Sequence, residues 1–228
     1  MKKLNALLLI LIIAGFTGCK KDVKTITPTN TVTDIDGNVY QTVTIGTQVW
    51  MAENLKTTKY RNGDPIPNVM DNAAWGALAT GAYCWSNNDA AIYKAAYGAL
   101  YNWYAVADSR NIAPIGWHVP ADTEWTTLTT FLGGESVAGG KLKEAGTAHW
   151  NSPNTGATNS SGFAARPGDY RYSNGTFGSI GHNGWWWSSP ASDASNAWHR
   201  YLDYSYAAVG RGSNYSKQGG FSVRCVRD

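Results

Sequence analysis

Residues 184–189 read Gly-Trp-Trp-Trp-Ser-Ser, with three indole rings in succession. Neighbouring residues of a strand point to opposite sides of its sheet. Trp186 is therefore expected on one face, with Trp185 and Trp187 on the other. A strand here needs apolar packing on both sides, which rules out a sheet with one face open to water along its whole length. Trp186 and Trp187 are assigned to packing. Trp185 is taken as the ring open to a ligand, although it shares a nominal face with Trp187 and needs a sheet edge or bulge to lift it clear.

The rest of the chain fits a domain packed with aromatics and turned by glycine. Charged residues make up only 15%, too few for a surface-charged helix bundle, and Gly 25, Trp 11 and Tyr 13 point to turns and large rings. Val39–Ile45 alternates and is β-branched, Gly46-Thr47 turns the chain, and Gln48–Met51 returns, predicting a hairpin. Further strands are predicted at 184–188, 198–204, 206–210 and 221–226, with Phe221, Val223 and Cys225 on one face. Tyr97, Leu100, Tyr101 and Tyr104 follow helical spacing and predict a helix over 97–107. A second helix opens at Pro120 and runs to Gly133-Gly134, with Trp125, Leu128, Phe131 and Leu132 as its apolar stripe. Asp122 and Glu124 suit its positive end, while Ala121 cannot complete a capping box with Glu124. Two helices with short, mainly antiparallel strands and long irregular loops define an α+β fold.

The N-terminus supplies an address. Lys2 and Lys3 precede the apolar run Leu7–Ala14, and small Thr17 and Gly18 follow, the layout of a secretory signal over residues 1–18. The run is too short to span a bilayer, which takes roughly 20 residues. Phe16-Thr17-Gly18-Cys19 resembles a bacterial lipobox, which implies that Cys19 is lipidated. Acyl chains on Cys19 would anchor the protein to a membrane without spanning it. Residues 19–33 are polar and threonine-rich and are read as a tether, leaving 34–228 as one domain. The net charge is +3, two of it from Lys2 and Lys3, and no basic run occurs, so nucleic acid is not an expected partner.

With Cys19 lipidated, Cys84 and Cys225 remain. In an exported chain the default is a Cys84–Cys225 disulfide, the alternative being two buried thiols. No nucleophile elbow, phosphate-binding loop, dinucleotide fingerprint or zinc-protease motif occurs. His118, His149, His182 and His199 are scattered, so neither a catalytic residue nor a cofactor is expected. Asn87-Asn88-Asp89 offers three oxygen donors suited to calcium, but such clusters also form ordinary turns.

Seven segments in order carry a resemblance: DIDGNVYQTVTIGTQVWMAENL (34–55), YCWSNND (83–89), YGALYNWYAV (97–106), PIGWHVPADTEW (114–125), SGFAARPGDYR (161–171), WWSS (186–189) and GFSVRCVRD (220–228). Together they resemble the Fibrobacter succinogenes major paralogous domain of exported proteins and lipoproteins of Bacteroidetes-like bacteria. The GWHVP and GFSVRCV features also resemble C-type-lectin-like folds, including the sulfatase-modifying relatives. The family often carries a cysteine just before Pro114, where this chain has Ala113. The resemblance implies a lipid-anchored envelope protein, outer-membrane, periplasmic or surface-exposed. Its expected role is binding or adhesion, with glycan as the ligand class and Trp185, Asn87, Asn88 and Asp89 as contacts. Two alternatives stay open: an assembly lipoprotein that contacts other envelope proteins, and a divergent enzyme of the sulfatase-modifying kind.

Overall fold

The computed structural model describes residues 30–178 and 180–228. The signal peptide 1–18, the lipidation position Cys19 and the tether up to residue 29 lie outside them. The last four tether residues are not linker, because Asn30–Thr33 forms strand β1. It pairs antiparallel with β2 (Val39–Ile45), and Thr42 Oγ1 donates to the Asn30 carbonyl.

The predicted hairpin is present. Ile45 faces Gln48 across Gly46-Thr47, and β3 is Gln48–Met51. Gly46 has φ +62°, the left-handed geometry that a two-residue hairpin turn needs and that glycine adopts without strain. A five-stranded antiparallel sheet runs β1-β2-β3-β11-β6, where β6 is Trp117–His118 and β11 is Val226–Arg227. The chain end thus returns between the hairpin and β6. A second sheet joins β4 (Tyr83–Cys84), β5 (Leu100–Asn102) and β10 (Gly220–Phe221). A third joins β7 (Asn183–Ala191), β8 (Asn196–Asp203) and β9 (Val209–Ser216). All these strand pairs are antiparallel, which with the short helices gives a mixed α and β domain.

Strand β7 separates two cores. Trp187 packs with Tyr101, Val223, Cys225 and Phe221, its ring 4.2 Å from that of Phe221. Trp186 packs on the other side with Trp50, Trp125 and Phe163. Each indole N–H has a buried acceptor: Trp187 Nε1 donates to the Tyr101 carbonyl at 2.8 Å and Trp186 Nε1 to Asn54 Oδ1 at 2.9 Å. Phe221, Val223 and Cys225 share the first core, as their alternation predicts.

The helix predicted over 97–107 does not form. Helix α1 is Asn72–Gly76, α2 is Ala90–Tyr97 and α3 is Trp103–Val106, with β5 between the last two. Gly98 breaks the helix at φ +75°, where a Cβ would come within 2.8 Å of Asn54 Cβ and the Leu55 carbonyl. Leu100 and Tyr101 then enter different clusters, as a strand allows and a helical stripe does not. Helix α4, Asp122–Phe131, matches its prediction. Trp125, Leu128 and Leu132 are buried, but Phe131 turns outward and stays 64% exposed beside Gly46. Glu124 Oε2 accepts from the Ala121 N–H at 2.8 Å, half of a capping box. Helix α5, Glu135–Leu142, was hidden by its glycines. A Cβ at Gly139 or Gly140 would overlap the carbonyls of Ala208 and Gly156, so the close approach requires them.

The expected disulfide is corrected. Cys84 and Cys225 are free and buried. Cys84 sits on β4 with Trp75, Ala82 and Leu100, whereas Cys225 belongs to the core around Trp187. Burial pushes the Cys84 thiol up to about 12 and raises Cys225 further, so neither forms a thiolate near neutral pH. Alkylation of the folded protein should leave both cysteines unmodified, and denaturant should make both react. A linked peptide pair in a non-reduced digest would contradict this structure.

Candidate functional site

In the third sheet Trp185 faces Tyr201, which faces Gly210, and Trp187 faces His199, which faces Gly212. A Cβ at Gly210 would overlap the Tyr201 ring, and one at Gly212 the His199 ring. The two glycines therefore leave the space over β9 that these rings occupy. Tyr201 is pressed into a stack with Trp185, centroids 4.7 Å apart and planes 22° apart.

Three more tyrosines complete the surface. Tyr170 lies 5.3 Å from Trp185, Tyr215 lies 5.8 Å from it, and Tyr172 lies 4.7 Å from Tyr170. The Tyr170 and Tyr172 hydroxyls are 2.5 Å apart. Tyr170, Trp185, Tyr201 and Tyr215 are half-buried, and Tyr172 is exposed. Phe221 and Trp187 support this ledge from the core. Burial raises the Tyr170 and Tyr215 hydroxyls, so both stay protonated and able to donate. Trp185 Nε1 is buried without a hydrogen-bond partner among the described residues. Such a donor is costly unless something accepts from it. The ledge thus combines aromatic faces and hydroxyls, a surface suited to polar molecules with apolar faces.

Trp185 accordingly sits on a surface cluster, but it does not stand clear. It packs on the same face as Trp187, as alternation requires, and the irregularity in β7 falls between Trp187 and Ala191, past the position that would lift it. Tyr170, Tyr172, Tyr201 and Tyr215 were not read as site residues. Glycines at alternate positions 210 and 212 were the signal that rings lie across that strand.

Asn87, Asn88 and Asp89 form a turn and a cap. Asn87 and Asn88 are left-handed at φ +48° and +57°. Asp89 Oδ1 accepts from the Ile92 N–H and caps α2, and Asn88 Nδ2 donates to the Met70 carbonyl. The preceding Ser86 donates to Asp169 Oδ2 at 3.0 Å, which ties this turn to the segment carrying Tyr170. Among the described residues no group of three or more His, Cys, Asp and Glu side chains could hold a metal ion.

The four histidines do not converge. His149 pairs with Glu144, His182 stacks on Tyr204, and His199 is buried, which pushes it down to about 4. His118 lies between two carboxylates, with Nδ1 2.6 Å from Asp228 and Nε2 2.9 Å from Glu124. The pairing of β11 with β6 brings Asp228 there. Burial works to lower the His118 pKa, but the bonds to Asp228 and Glu124 outweigh it and raise it above the ordinary 6.5.

The model of the Fibrobacter succinogenes major domain matches residues 43–227. This is most of the chain, and the protein belongs to that family. No curated protein and no solved structure matches it.

Trp187→Ala should cost roughly 3–5 kcal/mol, as for a fully buried large ring. Trp185→Ala should lower the melting temperature less, since its ring is only partly buried; equal melts would make the ledge part of the core. A second expectation concerns pH. A raised histidine pKa gives stability that is complete below 6.5 and is lost as pH rises through the folded value. Asp169, raised by burial to about 6, and His199 titrate largely below this window, and Lys143, lowered by burial to about 8, largely above it. Denaturant midpoints should therefore fall between about pH 6.5 and about pH 8 in the native protein. In His118→Gln that decline should flatten, and an unchanged slope would remove the clamp's role.

Proposed function

We propose that this member of the Fibrobacter succinogenes major domain family is a lipid-anchored binding module of the cell envelope that takes glycans on its aromatic ledge. The carrying observation is the group of five partly exposed rings, Trp185 with Tyr170, Tyr172, Tyr201 and Tyr215, with Tyr201 in the space that Gly210 leaves over β9. Sugars present apolar C–H faces with hydroxyls at their edges. Stacking on Tyr201 and Tyr172, with hydroxyl bonds to Tyr170 and Tyr215, would use both features. The anchor reading rests on Phe16–Cys19 and the basic, apolar start before them. The lectin-like reading is supported by the return of the last strand to the N-terminal hairpin, with loop-rich chain between.

A glycan array followed by calorimetry tests the reading. Tyr201→Ala and Tyr172→Ala should each lose about 1 kcal/mol of stacking, a roughly fivefold weaker Kd. Silence across polysaccharides of several classes would sink it. Cys19→Ser should move the protein from the membrane fraction to the soluble fraction, and unchanged partitioning would remove the anchor. Contact with another envelope protein is the second reading. It is favoured by Ile115, 84% exposed, and Ile35, 51% exposed, which line one groove. A defined cross-linked partner in intact cells would support it.

A further inference from the structure

A cleft of about 370 Å³ opens between the hairpin, the end of α2 and the segment around Arg166. Its volume lies in the range of small-molecule sites, roughly 300–1,000 Å³. Its polar lining includes Gln41, Glu53, Lys56, Asn54, Arg166 and Arg224. None of the ledge residues contributes to it.

Arg224 is only 1% exposed. Its Nε and Nη2 donate to Asn54 Oδ1 at 3.1 and 2.9 Å, and Nη1 donates to the Phe163 carbonyl. These partners are neutral, and three bonds leave part of a five-donor guanidinium unused. The Asn54 oxygen is also shared, since it accepts from Trp186 Nε1 at 2.9 Å. Three donors therefore compete for two lone pairs. Burial pushes Arg224 down to about 9, yet it keeps its charge near neutral pH.

The other buried arginines differ. Arg200 pairs with Asp122. Arg171 donates to the carbonyls of Val69, Met70 and Gly175 and to Asn72 Oδ1, and it lines neither this cleft nor the groove at Ile35 and Ile115. In the Arg224 cleft the remaining cations are already matched. Lys56 holds Glu53 at 2.7 Å, and Arg166 holds Glu144 at 3.0 Å. Among the described residues Arg224 alone of these cations has no carboxylate in contact, and Glu53, already held by Lys56, acts on it only through space.

We propose that this cleft binds a small molecule through a single carboxylate, which Arg224 receives from beneath and Arg166 and Lys56 steer at the rim. Asn54 holds the Nε–Nη2 edge, and a carboxylate can accept the Nη1 and Nη2 hydrogens that Asn54 and Phe163 leave over. Its one negative charge balances the one unmatched positive charge, whereas a phosphate dianion would exceed it. The inference is independent of the glycan reading, because the ledge and the cleft share no residue.

The test is an NMR titration of the purified protein with D-glucuronate, D-glucose and inorganic phosphate, following the Arg224 Nε–H resonance. Glucuronate should shift it saturably, with a Kd at least about tenfold below those of glucose and phosphate. Arg166→Gln and Lys56→Gln, with side chains 36% and 15% exposed, should fold and each weaken glucuronate several-fold. Arg224→Lys removes the fork and should abolish the preference; if it does not fold, the rim variants decide. Tyr201→Ala should leave the glucuronate response unchanged. Equal responses to glucuronate and glucose, tighter phosphate binding, or no shift up to about 50 mM would each overturn the proposal.

Discussion

Buried cations bonded to backbone carbonyls hold this molecule together. Much of the chain runs in loops between short strands, and loop carbonyls have no ladder partner. Buried without one, each costs free energy comparable to a lost hydrogen bond. Lys143 Nζ donates to the carbonyls of Thr155, Asp203 and Tyr206 at 3.0, 2.8 and 2.8 Å. Arg171 gathers Val69, Met70 and Gly175, and the half-buried Arg61 does the same for Ala113, Pro114 and Trp117. One side chain thus fixes two or three loop segments at a point, which a hydrophobic residue of equal size could not do. Lys143 joins the end of α5 to the turn between β8 and β9. The sheet that carries Tyr201 is thereby fastened to a helix.

Strand β7 is the second constraint. With an indole on each face it has to lie between two cores, and its Trp186 and Trp187 rings are fully enclosed. The first of these cores reaches solvent at Trp185. There the glycines of β9 replace side chains that would otherwise cover the rings. The ledge is the place where an aromatic core runs out of covering residues, and so its rings are shared between packing and surface. That sharing explains why the ledge residues support stability as well as any contact they make.

Local pattern carried the parts of this structure that are local. The alternation of Val39–Ile45, the Gly46-Thr47 turn and the stripe of α4 all follow from residues within a few positions of each other. So does the division of Trp185, Trp186 and Trp187 between two faces. The helical spacing of Tyr97, Leu100, Tyr101 and Tyr104 misled, because Gly98 must approach Asn54 and Leu55, residues more than forty positions earlier. Gly139 and Gly140 left α5 without a helical signal, although they mark its close approach to the Ala208 and Gly156 carbonyls. Cysteine counting suggested a bridge because it carries no geometry; β4 and the chain end place the two thiols in different clusters. At the site, Trp185 was legible as a surface candidate. Its tyrosine neighbours were not, since strand pairing and the Ser86–Asp169 bond assemble them from distant segments.

Strand β7 and the cleft are linked by one residue at the centre of the fold. Asn54 Nδ2 donates to the Tyr97 carbonyl at 2.8 Å and to Ser222 Oγ at 3.2 Å, joining the hairpin's exit to α2 and to the last strands. Its oxygen meets Trp186 from β7 and Arg224 from the chain end. An apolar residue at 54 would strand an indole N–H and a guanidinium together, each at the cost of a buried unsatisfied donor. A carboxylate there would satisfy the guanidinium within the protein. The neutral amide does neither: it accepts enough to keep Arg224 buried and leaves its charge unbalanced. The same side chain that completes the packing behind Trp186 therefore keeps a cation in the floor of an open cleft.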